Sequence, residues 1–323
     1  MNLSEKTKTL NLGEAVQSFI FHCQYEKNLD EKTIGAYRID FKQFESYLNG
    51  GNYTQDVYTI SKEIIKNYLQ VLSHFKPKTV KRKVASLKAM FNFLEYEQDN
   101  FINPFGKIKI QIKEPLILPT VMTMNEVKKI LSILYKEQKE NSKTEQYTYK
   151  VQTRNIAIVE LLFATGIRVS ELCNLKSTDI DLQSGVVKVF GKGGKERIIQ
   201  ICDSEIKMSL KHYKKLYNSF IQNEGYFFIN RLGQTISTQS VRLMIHHYVQ
   251  EAGLAKKITP HTFRHTFATL LLEENVDIRY IQSMLGHRSI TTTQIYTHVN
   301  TESQKKILAA KHPRRKLKFS SDE

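Results

Sequence analysis

The sequence predicts a mainly α-helical protein of two domains, with one small β-hairpin in the second domain. A chain of 323 residues is too long for one ordinary core, since domains usually run about 100 to 200 residues. Apolar residues recur at helical spacing through most of its length. One stretch instead places runs of β-branched residues on both sides of the glycine-rich turn Gly191 to Gly194, which is the pattern of a hairpin.

Four helices are predicted in the first domain, residues 1–103. Two runs of apolar positions at helical spacing occupy residues 12–48, and Asp30 or Thr33 is a candidate N-cap for the second run. A third helix is expected after Ser61 and a fourth after Pro77.

The fourth helix is predicted to contact DNA. Its apolar positions fall on one face, which predicts a back packed in a core, while basic side chains occupy other positions. These candidate DNA-binding residues are Lys78, Lys81, Arg82 and Lys88. The alternative is an ordinary solvated charged face.

A linker is predicted over residues 104–120. Its prolines stop helices, and its basic and apolar residues alternate, so we expect an extended cationic segment. The second domain, residues 121–310, then opens at a capping box formed by Thr123 and Glu126.

Within the second domain, the polar residues 136–154 predict an extended loop or a solvent-facing helix end. The hairpin follows, and a short strand at 227–229 is a candidate extension of its sheet. From 237 to 310 the pattern is helical, with breaks expected near Gly253, Pro260 and Gly286. Residues 311–323 are predicted to form a basic tail.

Charge gives the first indication of function. The net charge is +16, and residues 1–103 hold 14 basic and 12 acidic side chains, whereas residues 104–323 hold 34 and 20. A surplus of Lys and Arg attracts a polyanion through phosphate neutralisation and counterion release. General solubility is the alternative, but the concentration of charge in the second domain favours a nucleic-acid partner.

Several protein classes do not fit the composition. The sequence has no apolar run of the roughly 18 residues that span a bilayer and no signal-peptide pattern near its start, so we expect a cytoplasmic protein without membrane contact. Cys23, Cys173 and Cys202 have no metal-ligand or disulfide-framework spacing, which predicts reduced core residues.

Four short patterns carry candidate chemistry in the second domain. Arg168 follows Thr165-Gly166-Ile167 where a helix gives way to a turn, and Lys192 lies at the predicted hairpin tip. His261 and Arg264 are spaced i and i+3, so both leave one helix face. His287 follows Leu285-Gly286, and Tyr296 comes nine positions later.

Together these residues match the needs of phosphodiester transfer. Arg168 and Arg264 can hold the non-bridging oxygens through paired hydrogen bonds. Tyr296 can attack in line and form a covalent phosphotyrosyl bond, while Lys192 protonates the departing 5′ oxygen as general acid. His261 and His287 can donate to the phosphate or assist proton movement. Since the carboxylate cluster of a two-metal nuclease is missing here, we expect no metal ion or other cofactor.

Each residue taken alone has a simpler interpretation. Arg168 can pair with Glu171 on a helix surface, and His261 with His265 imitates a zinc pair without a third ligand. A glycine-rich turn is usually only a turn, and Tyr296 is one of 16 tyrosines. The combination therefore carries the hypothesis.

The sequence resembles a known family in four strings, all within the second domain and in the family's order. It is similar to the tyrosine recombinases, most closely those of the Xer type, in ATGIRVSEL (164–172), FGKGGKER (190–197), PHTFRHTFAT (260–269) and LGHRSITTTQIYTH (285–298). The resemblance implies that Arg168, Lys192, His261, Arg264, His287 and Tyr296 form the catalytic set.

The resemblance also implies an assembly. In this family the helical domain and the catalytic domain close around DNA as a clamp, and four protomers on two specific sites exchange strands through a Holliday junction. A C-terminal segment docks on the neighbouring protomer. Here Ile307, Leu308 and Ala309 would supply that contact, and Arg314, Arg315 and Lys316 would touch DNA, with a disordered basic tail as the alternative.

The expected function is site-specific recombination that resolves chromosome dimers, with an ATP-driven DNA translocase as a candidate partner. An integrase of a phage or mobile element is the alternative; such enzymes often carry an extra N-terminal DNA-binding domain, whereas about ten residues precede the first predicted helix here. A type IB topoisomerase and a non-catalytic DNA-binding protein are more distant readings. The longer polar stretch 136–154 and the Gly193-Gly194 pair depart from the family pattern, and leave open whether a second recombinase takes part.

Overall fold

The structure is a computed structural model that describes residues 9–113, 119–141, 146–191, 196–286 and 301–317. The chain divides into two compact units, Met1–Ile117 and Leu118–Glu323. The structure confirms a mainly helical fold with a small antiparallel sheet in the second unit. Within the described ranges, no helix is both long and apolar enough to cross a bilayer.

The first unit contains the four predicted helices. Two of them have side-chain caps, since Asp30 accepts from Lys32 N at 2.8 Å and Ser61 accepts from Ile64 N at 3.4 Å. Pro77 occupies the first turn of the last helix. The helices are α1 (Leu12–Phe21), α2 (Glu31–Gly50), α3 (Lys62–Val71) and α4 (Pro77–Glu97).

The core of the first unit extends past residue 103. Aromatic rings from α1, α2 and α4 fill it, and Phe105 is buried there beside Phe91, with 5.7 Å between the ring centroids. Ile108, Ile110 and Ile112 pack partly against the same core. Part of the segment expected to be an extended linker thus packs on the first unit, because its alternating apolar residues contact the core of that unit.

The second unit is built around a helix whose C-terminal half is buried. Residues 155–167 are all buried, as expected for a run in which most residues are apolar. The helices of this unit are α5 (Met124–Asn141), α6 (Gln146–Thr165), α7 (Val169–Cys173), α8 (Ser204–Leu216), α9 (Asn218–Glu224), α10 (Thr238–Glu251), α11 (Pro260–Glu273), α12 (Ile278–Leu285) and α13 (Thr301–Lys311).

The predicted hairpin is present, but its third strand comes from elsewhere. The strands β1 (Ile180–Asp181), β2 (Val186–Phe190) and β3 (Glu196–Gln200) form an antiparallel sheet in that order. Residues 227–229 do not join it: they are buried, and Ile229 forms an isolated bridge with Thr235. That short apolar run belongs to the core and not to the sheet. Periodicity alone does not distinguish a buried strand from another buried segment.

The polar residues 136–154 are helical where the structure describes them, so the extended-loop interpretation is wrong. They form the end of α5 and the start of α6, and their polar groups bond between the two helices. Gln138 Nε2 donates to Thr153 Oγ1 at 2.7 Å, and Tyr248 of α10 donates to Glu137 at 3.0 Å. Polar composition here reflects an internal hydrogen-bond network.

The C-terminal residues pack on their own unit, which corrects two expectations. Leu308 is 1% exposed within the core of the second unit rather than free for a neighbour. Arg314 is also 1% exposed; its guanidinium donates to Glu160 and Glu205, each at 3.0 Å. A buried, paired guanidinium is not available to DNA, so the expected contact from Arg314 is wrong.

Candidate active site

Arg168 lies at a turn that requires glycine. Helix α6 ends at Thr165, and Gly166 follows with a φ of +59°. A Cβ at Gly166 would lie 2.8 Å from side-chain atoms of Leu285 and Phe267, so both the conformation and the space favour glycine. Arg168 then forms the N-cap residue of α7, with its side chain about one-third exposed.

Arg264 approaches the same turn from α11. It is 4% exposed, and its guanidinium donates to Gly166 O at 2.8 Å and to Leu285 O at 2.5 Å. Burial, together with the positive charges of Arg168 and Arg197, lowers the pKa of Arg264 to about 9, against an opposing effect of Glu171. The turn after α6 and the end of α12 are therefore joined by one guanidinium.

Glu171 is shared by two arginines. Its carboxylate accepts from Arg168 N at 2.9 Å and Arg168 Nη1 at 2.7 Å, and from Arg197 Nη1 at 3.0 Å and Nη2 at 2.7 Å. Burial alone would raise the pKa of Glu171, but hydrogen bonds from Arg197 and Arg168 lower it. The pair of Arg168 and Glu171 exists, as the simpler interpretation required, but its carboxylate is buried.

Three guanidiniums converge on the C-terminal end of α12. Arg197 Nε donates to Met284 O at 2.7 Å, Arg264 Nη2 to Leu285 O at 2.5 Å and Arg168 Nη2 to Gly286 O at 3.3 Å. The last carbonyls of a helix lack partners within it and carry its negative dipole end, so cations suit them. Gly286 ends α12 with a φ of +64°.

The site carries an excess of positive charge. Three guanidiniums face one carboxylate, Glu171, among the described residues around Arg264. The side chain of Arg168 is partly exposed to solvent, whereas Arg264 is almost completely buried. An anion with several oxygens would offset the repulsion among these cations. The geometry therefore fits a phosphate group.

His261 lies one helical turn before Arg264 and is exposed on α11. Partial desolvation lowers its pKa, and so do the nearby positive charges of His265, Arg264, Arg242 and Arg168. The imidazole is consequently neutral near pH 7, and one ring nitrogen can accept a proton. No third ligand accompanies His261 and His265 to form a metal site in the part of the chain that the structure describes.

Two family models cover most of the chain. The model described as the phage integrase family matches residues 120–303, and the model described as the phage integrase N-terminal SAM-like domain matches residues 16–98. The chain belongs to the phage integrase family. Membership in this family of tyrosine recombinases implies DNA cleavage and rejoining by a tyrosine.

Curated relatives match over nearly the whole chain. A tyrosine recombinase of Agathobacter rectalis is 49% identical over 96% of this chain and 99% of its own length. A tyrosine recombinase XerD of Oceanobacillus iheyensis is 34% identical over 94% and 99%. A tyrosine recombinase XerC of Staphylococcus aureus is 34% identical over 93% and 97%. The resemblance to Xer-type recombinases is thus confirmed.

Solved recombinase structures share the fold. A structure of XerH bound to a palindromic difH substrate, a post-cleavage complex, aligns with a TM-score of 0.69 at 21% identity over 93% of this chain and 82% of that one. A lambda integrase tetramer bound to a Holliday junction aligns with a TM-score of 0.68 at 18% identity over 88% and 77%. These alignments place this recombinase in the same two-domain fold class.

The structure brings together part of the set expected in this recombinase. Arg168, Arg264 and His261 meet at one site, on α7 and α11. Lys192, His287 and Tyr296 lie outside the described residues. Their segments begin where described elements end: residues 192–195 join β2 to β3, and residues 287–300 follow α12 directly.

The sequence interpretation missed Arg197 and Glu171 as members of the site. Both stood inside the family-like strings, but a residue that contacts only other protein groups has no chemical signature of its own in a sequence. Proximity in space identifies them: Arg197 and Glu171 are 26 positions apart in the chain.

The basic residues of α4 differ in how they are held. Lys78, Lys81, Arg82 and Lys88 are all exposed. Arg82 pairs with Asp40 of α2, whose carboxylate is fully buried and also accepts from Ser86 Oγ at 2.7 Å. A solvated face and a DNA-binding face both remain compatible with this exposure, so the DNA-binding role stays a prediction.

Proposed function

We propose that this chain is a site-specific recombinase that cuts and rejoins DNA through Tyr296. The observation that supports this most directly is the convergence of Arg168, Arg197 and Arg264 on the end of α12. The next residues of the chain carry His287 and Tyr296. A phosphate drawn to these guanidiniums would lie at the end of α12, after which the chain continues to His287 and Tyr296.

The chemical step uses the residues as follows. Arg168 and Arg264 hold the non-bridging oxygens, where negative charge grows in the transition state. The phenol oxygen of Tyr296 forms a bond to phosphorus while the bond from phosphorus to the 5′ oxygen breaks. The ammonium of Lys192 gives its proton to that 5′ oxygen. The product is a 3′-phosphotyrosyl bond, which a free 5′ hydroxyl reverses.

The phenol proton needs an acceptor, and His261 suits that role. Its lowered pKa keeps the imidazole neutral near pH 7, which is the form that accepts a proton. His287 donates a hydrogen bond to the phosphate. The arginines supply the positive charge that the pentacoordinate phosphorus needs, so the proposed step uses neither a metal ion nor another cofactor.

The biological role we propose is resolution of chromosome dimers in the cytoplasm, as a homotetramer on two copies of one double-stranded DNA site. The names of the relatives from Oceanobacillus iheyensis and Staphylococcus aureus, XerD and XerC, favour this role over integration of a mobile element. A lambda integrase tetramer bound to a Holliday junction shares the fold of this chain, and we propose the same kind of tetramer and junction intermediate here. A DNA translocase is a candidate activator.

A trapping experiment tests the proposed chemistry. Duplexes that bind the full-length protein are first selected from a randomised pool. The selected site is then synthesised as duplexes with a nick beside each candidate cleavage position. Cleavage then releases a short strand that diffuses away, which leaves protein joined to DNA. We expect an adduct that resists denaturing electrophoresis and forms equally in the presence of a chelator.

Tyrosine variants give the matched control. Tyr296→Phe should abolish the adduct, whereas Tyr280→Phe, which also removes a single hydroxyl, should retain it. An adduct formed by Tyr296→Phe would reject the nucleophile, and loss of the wild-type adduct on chelation would reject the metal-free step.

The recombination role has a separate readout. A plasmid with two copies of the selected site should yield two circles with this protein alone. Relaxation of supercoiled DNA without that product would instead indicate a topoisomerase, and a need for a second recombinase would reject the homotetramer.

A further inference from the structure

A buried carboxylate of α2 holds three side chains of α4. The side chain of Asp40 has no exposed surface. Its Oδ1 accepts from Lys83 Nζ at 3.2 Å, while its Oδ2 accepts from Ser86 Oγ at 2.7 Å and from Arg82 Nη1. A carboxylate removed from water is stable only when its oxygens have partners. Asp40 therefore fixes the groups that bind it.

The two cations that bind Asp40 differ in exposure. The side chain of Lys83 is 3% exposed, and its ammonium also donates to Gln43 Oε1 and lies 5.3 Å from the centre of the Phe75 ring. Lys83 therefore balances the charge of Asp40 inside the first unit. The side chain of Arg82 is 43% exposed. Because one carboxylate faces two cations, Arg82 presents positive charge at the surface.

Arg82 keeps an edge of hydrogen-bond donors for a ligand. Its Nη1 donates to Asp40, whereas its Nε and Nη2 have no partner among the residues that the structure describes. These two nitrogens form one side of the planar guanidinium, with two parallel donors. Such a pair of donors matches O6 and N7 of guanine, the commonest sequence-specific contact of basic side chains in the major groove.

The other exposed cations of α4 suit a different contact. Lys78 and Lys88 are exposed, and a lysine is a point charge on a flexible stem, which binds phosphates of any sequence. Recognition of a base edge needs a side chain with a fixed direction. Arg82 is the only arginine of α4, and Asp40 sets its direction. Since the side chain is already ordered, it loses less conformational entropy on binding.

We propose that Arg82 binds a guanine base in the DNA site of this recombinase, and that Asp40 is the positioning residue that orients Arg82 for this contact. Lys83 takes no part in DNA binding beyond balancing the charge of Asp40. The inference rests on the proposed function, since it needs a specific DNA site. It gives the first unit a share in selecting that site.

The test separates a base contact from a phosphate contact. A preferred duplex is selected from a randomised pool with the wild-type full-length protein, and each of its base pairs is then changed in turn. Equilibrium binding to the selected duplex and to each changed duplex is measured for every protein. Arg82→Gln is compared with Lys78→Gln, which loses the same charge and gains the same residue on the same helix.

A double variant tests the role of Asp40. Asp40→Asn alone would leave Lys83 as a buried cation without its carboxylate, which destabilises the fold. Asp40→Asn combined with Lys83→Met removes both buried charges and keeps the net charge of the protein. The non-specific electrostatic part of DNA binding should therefore be unchanged in this variant.

We expect that changing one G·C pair weakens binding of the wild type by about 5- to 150-fold, the discrimination of one bidentate contact. Arg82→Gln should lose this discrimination, and the double variant should reduce it. Lys78→Gln should bind all duplexes more weakly and discriminate at that pair as the wild type does.

The deciding quantity is the ratio of the two affinities, because partial unfolding lowers both equally and leaves the ratio unchanged. If Arg82→Gln weakens all duplexes alike, Arg82 contacts a phosphate and the proposal is wrong. An unchanged ratio in the double variant would overturn the role of Asp40. Failure of the proposed function looks different, since the wild-type protein would then select no preferred sequence.

Discussion

The guanidinium of Arg264 donates to the main-chain carbonyl of Leu285 at 2.5 Å. Leu285 is the last residue of α12, and the chain reaches His287 two positions later. A side chain proposed to bind phosphate thus also sets where the segment with the proposed nucleophile begins. Arg264 therefore links the proposed phosphate site to the end of α12, from which the chain continues toward the proposed nucleophile.

Arg264→Lys should slow formation of the covalent adduct by about 10²- to 10³-fold, the usual effect of losing one preorganised donor. A lysine cannot reach Gly166 O and Leu285 O together, and it offers no planar fork to a phosphate. Single-turnover cleavage of the nicked substrate measures the effect. Arg279→Lys, a conservative change at an exposed position on α12, is the control and should stay near the wild-type rate; equal rates for both variants would contradict the role of Arg264.

The buried His312 should make stability depend on pH. Its Nε2 lies 3.0 Å from Ala164 O, and its Nδ1 accepts from Arg314 N at 3.0 Å, so the neutral ring satisfies both contacts. Burial lowers the pKa of His312 to about 4, even though Ala164 O favours the protonated form. In the unfolded chain, the pKa of His312 is near 6.5. Between about pH 6.5 and 4, His312 is therefore protonated in the unfolded chain but not in the folded chain.

The stabilisation that depends on neutral His312 should be complete above pH 6.5 and fall by about 3 kcal/mol as the pH drops to 4. His312→Asn keeps an acceptor for Arg314 N but does not titrate. Urea unfolding of both proteins at several pH values measures the difference in unfolding free energy. That difference should shrink steadily below pH 6.5, and a difference independent of pH would show that His312 titrates normally.

Removal of Arg314 should destabilise the second unit. Burial alone would lower the pKa of Arg314, but its ion pair with Glu160 raises it, and both side chains are 1% exposed or less. Arg314→Ala would leave Glu160 as an unpaired buried charge, at a cost of roughly 3 to 5 kcal/mol. Thermal unfolding measures the loss, and Arg315→Ala at the neighbouring exposed arginine should cost under about 1 kcal/mol.

A double variant separates the ion pair from simple packing. Arg314→Met with Glu160→Gln removes both charges, so it should be more stable than Arg314→Met alone. A double variant that only adds the two losses would mean that the charges of Arg314 and Glu160 are not coupled.

The basic face of α4 should appear in the salt dependence of DNA binding. If Lys78 and Lys88 contact phosphates, then each change to alanine should lower the slope of log affinity against log salt by about 0.9 and weaken binding to all sequences alike. Titration of a labelled duplex at several salt concentrations measures this slope. Lys42→Ala, an equal loss of charge on α2, should leave the slope unchanged; an unchanged slope for Lys78 and Lys88 would favour the solvated face.

Local chemistry made much of the fold predictable. Asp30, Ser61 and Pro77 mark helix starts because caps and the first turn have requirements that neighbouring residues satisfy. The hairpin at 186–200 follows from β-branched runs around glycines. The same local logic left a loop and a helix end open at 136–154, where the described residues are helical. It failed at 227–229, where an apolar run has no preferred partner until the chain is folded.

By itself, the sequence determined the helices, the hairpin, the surplus of positive charge and the residue types suited to phosphodiester transfer, because each depends on spacing or composition along the chain. Tertiary structure decided which charges are paired. Arg314 looked like part of a basic tail and is buried against Glu160, while Arg197 looked unremarkable and joins Glu171 to the end of α12. The free energy of a charge depends on its burial and its partners, and those are settled only when distant segments of the chain meet.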